Sequence, residues 1–232
     1  MHLLSTANAK IRKGEKSGYK TAGVHLAPHK LSGHNTCIAA SKGCAAACLN
    51  TAGMGAYSTV QAARIKKTKM FFEDRGNFLN ALVKEIQSVI KNARKNGMTP
   101  AFRLNLTSDI AWEKIKINNQ TIMEMFPDVN FYDYTKIPRR MLNFLNGKFP
   151  ENYHLTFSRS ENNQNHADII MACGGNVAVV FRGKLPLTYK GKKVINGDEN
   201  DLRFLDPKGV IVGLVEKGKA KKDTSGFVVE PE

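Results

Sequence analysis

The chain has 232 residues, 42% hydrophobic and 24% charged, which is long and apolar enough for a packed core and excludes a wholly disordered protein. Its net charge of +15 permits nucleic acid or another acidic partner; a lysine-rich solvated surface is the alternative, because lysines recur along the whole chain. No apolar run approaches the ~18–20 residues that span a bilayer, and the opening MHLLSTANAKIRKGEKSGYK has no apolar signal core, so the expectation is a cytoplasmic protein without a membrane partner. Thiols stay reduced there, and the four cysteines read as ligands, nucleophiles or core residues.

In chain order, residues 21–27 (TAGVHLA) predict a first strand, followed by a loop with the first cysteine. Residues 44–50 predict a short helix. Ser58 is placed to cap a helix through Phe72, with Gln61 as its capping-box partner. Asp74 or Asn77 can cap the next helix, whose apolar positions Phe78, Leu79, Leu82, Ile86, Val89, Ile90 and Ala93 recur at helical spacing up to Gly97. Strands at 101–106, 129–134, 153–157 and 176–181 then alternate with helices at 120–126, 139–145 and 165–173. Residues 183–197 read as a loop, 209–215 as an apolar strand, and everything after Lys217 as a basic exposed tail. The pattern predicts a single α/β domain over 1–232. Its architecture is either a partial (β/α)-barrel or a mostly parallel sheet with flanking helices.

The densest chemistry is His34-x2-Cys37-x6-Cys44-x3-Cys48. On a helix Cys44 and Cys48 would share one face, a turn apart, and Cys37 can fold back over it. Three thiolates are the ligand set of a [4Fe-4S] cluster with one open iron. With His34 they make a Cys3His zinc site, although the paired C-x2-C units of zinc fingers are missing. The alternative is three small residues packed in an alanine-rich segment. Cys173 ends a predicted amphipathic helix and reads as core, with a long-range fourth ligand as the alternative.

In parallel α/β architectures functional groups gather at the C-terminal ends of strands. Asp109, Asp133, Lys136 and His154 stand there as candidate catalytic groups, and Asn105, Ser108, Thr156 and Arg182 as candidate cofactor contacts. Capping is the competing role for Asp109, and a satisfied core position for His154. Trp112 reads as core filler, or as a stacking platform for a planar ligand.

HLAP (25–28), LSGH (31–34), CAAACLNTAG (44–53), RLNLTSDIAWE (103–113), FYDYTK (131–136), YHLTFS (153–158), NVAVVF (176–181) and DLRFLDP (201–207) together resemble the "gene product 88" domain family of bacteriophage proteins. The likeness runs from LLSTANAKI at 3–11 to KDTSGF at 222–227. It implies a phage-encoded protein made in a bacterial cytoplasm, with Cys37, Cys44 and Cys48 as part of the family pattern. The leading expectation is therefore an iron–sulfur protein, in one form an enzyme of radical S-adenosylmethionine-like architecture acting on a small molecule. The C-x3-C-x2-C spacing of that superfamily and a glycine-rich methionine-binding segment are both absent. The second expectation is a basic nucleic-acid-binding or host-interaction protein with structural zinc. The sequence leaves the oligomeric state open.

Overall fold

The computed structural model describes residues 1–6 and 12–231; residues 7–11, the end of the LLSTANAKI block, lie outside the described residues. The strands are β1 (Leu4–Ser5), β2 (Tyr19–Val24), β3 (Thr99–Arg103), β4 (Lys116–Ile117), β5 (Gln120–Thr121), β6 (Asn130–Thr135), β7 (Tyr153–Ser158), β8 (Val177–Phe181), β9 (Thr188–Tyr189), β10 (Lys192–Asn196), β11 (Ile211–Val215) and β12 (Val228–Val229). The helices are α1 (Lys42–Ala46), α2 (Ser58–Glu73), α3 (Arg75–Lys95), α4 (Ile122–Met125), α5 (Pro138–Leu145) and α6 (Gln164–Ala172).

Ten strands form one sheet in the order β1-β2-β3-β6-β7-β8-β11-β10-β9, with β12 beside β8. In this sheet only β1 and β9 run antiparallel to their neighbours among the described residues; β4 and β5 form a separate antiparallel pair. The remaining pairs are parallel. The two ends of this order do not pair among the described residues, so the mostly parallel sheet with flanking helices is the architecture observed and no barrel closes. From β2 to β8 each new strand is added on the same side of the last, and right-handed crossovers then put the connecting helices on one face.

That face carries the main core. Phe78, Leu82 and Ile86 of α3 and Met141 of α5 pack with Phe102, Phe131, Leu155 and Phe157 of the strands. The periodic apolar stripe of α3 is the one the sequence predicts, and Gly97 ends it in a left-handed conformation (φ 66°). The opposite face is covered by residues 201–206. Phe204 contacts Tyr19, Tyr132 and His154, and Asp201 pairs with Arg103 at 2.9 Å.

Three local expectations change. Ser58 and Gln61 form no capping box: Gln61 Nε2 donates to the Gly55 carbonyl, and the capping box is instead at Thr121 and Glu124. The expected loop at 183–197 contains a hairpin whose turn residues Lys190 and Gly191 both have positive φ. The expected exposed tail returns to the sheet. Because β7 ends beside Ala178, β12 takes the place next to Val180 and Phe181 that β7 leaves empty.

Candidate functional site

The C-terminal ends of β2, β3, β6 and β7 form one edge, and the cysteine loop lies over it. Thr36 anchors the loop: its hydroxyl donates to the Ala27 carbonyl at 2.7 Å, and its own carbonyl accepts the Asp109 amide at 2.8 Å. Cys37 Sγ sits 3.7 Å from the Thr107 carbonyl. Ser41 caps α1, and Glu161 accepts both the Ser41 hydroxyl and the Gly43 amide at 2.7 Å, tying the loop to the end of β7.

These cysteines are not the expected ligand set. Helix α1 stops at Ala46, and Cys48 already has extended backbone (φ −57°, ψ 131°), so it does not sit one helical turn above Cys44. His34 is held elsewhere, stacked on Phe72 at 4.5 Å with Nε2 3.0 Å from Glu73 Oε1. Among the described residues no group of three or more His, Cys, Asp or Glu side chains is placed to hold a metal ion. The [4Fe-4S] cluster, the Cys3His zinc site and the S-adenosylmethionine chemistry that such a cluster supports are all overturned on that ground. Cys173 is exposed rather than packed in the core. Burial pushes the thiols of Cys37, Cys44 and Cys48 up from their ordinary value, and Cys44 adds to the rise at the other two. Near neutral pH they are protonated, uncharged neighbours.

Beneath the loop lies a buried polar network. Asp133, fully buried, accepts the Asn105 amide at 2.7 Å, the Asn105 side chain at 3.1 Å and the Tyr153 hydroxyl at 2.8 Å. Burial pushes its carboxyl up to about 7. Asn105 Oδ1 in turn accepts from Ser108 and from Trp112, whose indole fills the core. Arg140 pairs with Asp109 at 3.0 Å and Glu113 at 2.9 Å, and it also donates to Tyr153. Burial raises Asp109 against the pull of Arg140.

The structure thus brings Asn105, Ser108, Asp109, Asp133 and Lys136 together and separates the other candidates. His154 contacts Phe204 on the opposite face of the sheet, and strand alternation puts Thr156 on that face too. Burial lowers the His154 pKa. Arg182 lies past β8, where it holds Glu230 and the carbonyls of Lys221 and Asp223. Lys136 reaches the end of β7: its ammonium donates to Ser158 Oγ at 2.6 Å and lies 5.3 Å from the Phe227 ring centre.

Sequence reading missed Arg64. The buried face of α2 is Arg64, Lys67, Thr68 and Phe71, at helical spacing i, i+3, i+4, i+7. Three polar residues where an apolar stripe belongs were the available signal. Arg64 is only 8% exposed; it donates to Asn50 Oδ1, and its Nε has no partner. No carboxylate pairs with it among the described residues. Its charge favours the Cys48 thiolate, as that of Lys136 favours the Cys44 thiolate, so each cation lies near one of the thiols.

The sequence model of the Gene product 88 family matches residues 2–231, and the chain belongs to that family. No curated protein and no solved structure matches the chain.

Proposed function

We propose that this member of the Gene product 88 family binds a small anion at the C-terminal edge of its sheet, between Arg64 and Lys136. The observation that carries the proposal is the company Arg64 keeps. Burying a guanidinium costs several kcal/mol unless a negative partner offsets it, on the order of magnitude known for buried ions. Among the described residues the neutral Asn50 is the hydrogen-bond acceptor that Arg64 has. Lys136 is likewise half-buried among neutral acceptors, Ser158 Oγ and the carbonyls of Ser158 and Arg159. Asp109, the carboxylate whose charge Lys136 feels, is already paired with Arg140, and the protonated thiols near the two cations add no compensating charge. A ligand carrying a carboxylate or phosphate supplies what both lack. In this role Asp109 and Asp133 hold the edge in shape, and Lys136 contacts the ligand.

The test is thermal unfolding in phosphate, pyrophosphate, citrate and chloride at matched ionic strength. At least one multivalent anion should raise the melting temperature above chloride, since an anion at ~100 times its Kd adds about 2.7 kcal/mol. Arg64→Met and Lys136→Met should each abolish that rise. A rise that survives in both variants sinks the proposal.

A further inference from the structure

We propose that the groove between α1 and residues 219–225 is the phosphate-gripping part of an interface for single-stranded nucleic acid, with Lys42, Lys219 and Lys222 as its contacts. The groove is a cavity of about 280 Å³ lined by these lysines together with Gly43, Thr224 and Ser225. All three lysines are exposed, and none has a carboxylate at ion-pair distance among the described residues. Other lysines do: Lys20 pairs with Glu15, Lys190 with Asp168 and Lys217 with Asp198. The lining carboxylate Asp223 is occupied by the Ser225 hydroxyl and the Val228 amide, and Glu161, behind Gly43, by the Ser41 hydroxyl and the Gly43 amide.

The walls are fixed before any ligand arrives. Ala47, Ala220 and Val228 form a small apolar cluster that holds the loop to the tail. Arg159 donates to the carbonyls of Gly226 and Phe227, and Arg182 to those of Lys221 and Asp223. Gly43 permits the close approach, since a side-chain carbon there would run into Ser225 Oγ and Glu161. A groove pinned in this way loses little entropy on binding.

Charge alone does not choose the partner; the surface beside the groove does. Leu49 is 55% exposed, Met54 73% and Tyr57 63%, all on the segment running from the cysteine loop into α2. Gly218, at the start of the tail segment, abuts Ala52 of that same stretch, so the segment with the exposed apolar side chains runs beside the lysine-bearing tail. Cations beside exposed apolar and aromatic side chains match a strand whose bases are unstacked, not a duplex whose bases are hidden.

The experiment is fluorescence anisotropy of a labelled oligothymidylate with the full chain, over about 50–200 mM salt. Two triple variants lose the same charge: K42E/K219E/K222E in the groove, and K84E/K91E/K95E on the exposed face of α3. Circular dichroism confirms that both remain folded. The groove variant should bind at least about tenfold more weakly and lose about 2 from the salt slope, as three phosphate contacts require. The α3 variant should change affinity less than about threefold, and Tyr57→Ala should weaken binding about fivefold or more. Equal losses in the two triples would leave only bulk charge and overturn the proposal. So would absence of binding by the parent chain, preference for duplex over single strand, or groove-dependent binding to phosphatidylserine vesicles in place of the oligonucleotide.

Discussion

Two buried arginines stand near the same sheet edge in opposite company. Arg140 is held by two carboxylates and a tyrosine hydroxyl. Arg64, on α2, has one asparagine oxygen and a bare Nε. Both pay for dehydration. Arg140 recovers that cost inside the fold, by locking the 105–113 segment to α5 and β7. Arg64 has no carboxylate among the described residues to do the same, which is why the proposed anion is placed beside it. The contrast lies in their partners and not in their exposure, because both are almost fully covered.

The largest effect should come from breaking the satisfied arginine. Arg140→Met strands Asp109 and Glu113 in the interior and should cost about 3–5 kcal/mol of stability in chemical denaturation. A loss under about 1 kcal/mol would show that the network is not structural. The unsatisfied arginine should behave in reverse. Arg64→Met removes a buried unpaired charge and should stabilise the anion-free protein by about 1 kcal/mol while removing its response to anions. A destabilised Arg64→Met protein would mean that Asn50 alone satisfies the guanidinium.

A third prediction uses pH. Burial, aided by the nearby charges of Arg64, Lys67 and Arg103, lowers the His25 pKa to about 3. The unfolded histidine titrates near 6.5, so as pH falls from about 6.5 to 3 the unfolded state takes up a proton that the folded state refuses, and stability is lost. Asp133 and Asp206, raised by burial to about 7 and about 6, act with the opposite sign. Each holds its proton in the folded state while the unfolded carboxyl has lost it, so stability falls as pH rises from about 4 through those values. The two trends oppose each other between about pH 4 and 6.5. His25→Gln should leave the carboxyl trend alone and steepen the fall of stability with rising pH in that window. Identical midpoints-versus-pH for variant and parent would remove His25 from the account. The smallest effect belongs to exposed Cys173: Cys173→Ser should shift stability by less than about 0.5 kcal/mol.

What the sequence made legible follows from how local each signal is. The apolar spacing of Phe78, Leu82 and Ile86 fixes one face of α3 without reference to anything else. The apolar run 176–181 likewise announces a strand buried on both faces. Strand ends then pointed to Asn105, Asp109, Asp133 and Lys136. His154 misled because alternation alone does not say which face of the sheet each set of alternate residues meets; residues 201–206, distant in sequence, decide that. The cysteine spacing misled because α1 is too short to carry its periodicity to Cys48. The hairpin of β9 and β10 is polar and hinges on two residues with positive φ, one of them a lysine, where sequence gives little warning. Arg64 was hidden for the opposite reason: it follows helical spacing but with the wrong polarity.

The placement of β12 bears on how the molecule is assembled. Synthesis proceeds from the N-terminus, so residues 217–229 emerge after every strand they lean on. Until they dock, one side of Val180 and Phe181 is an open strand edge of the kind that invites mispairing. Phe227 is then not yet over Lys136, and two of the three groove lysines have no wall to stand on. The lysine-lined groove is incomplete until residues 217–229 dock. Closing the edge and acquiring the groove are therefore one folding event.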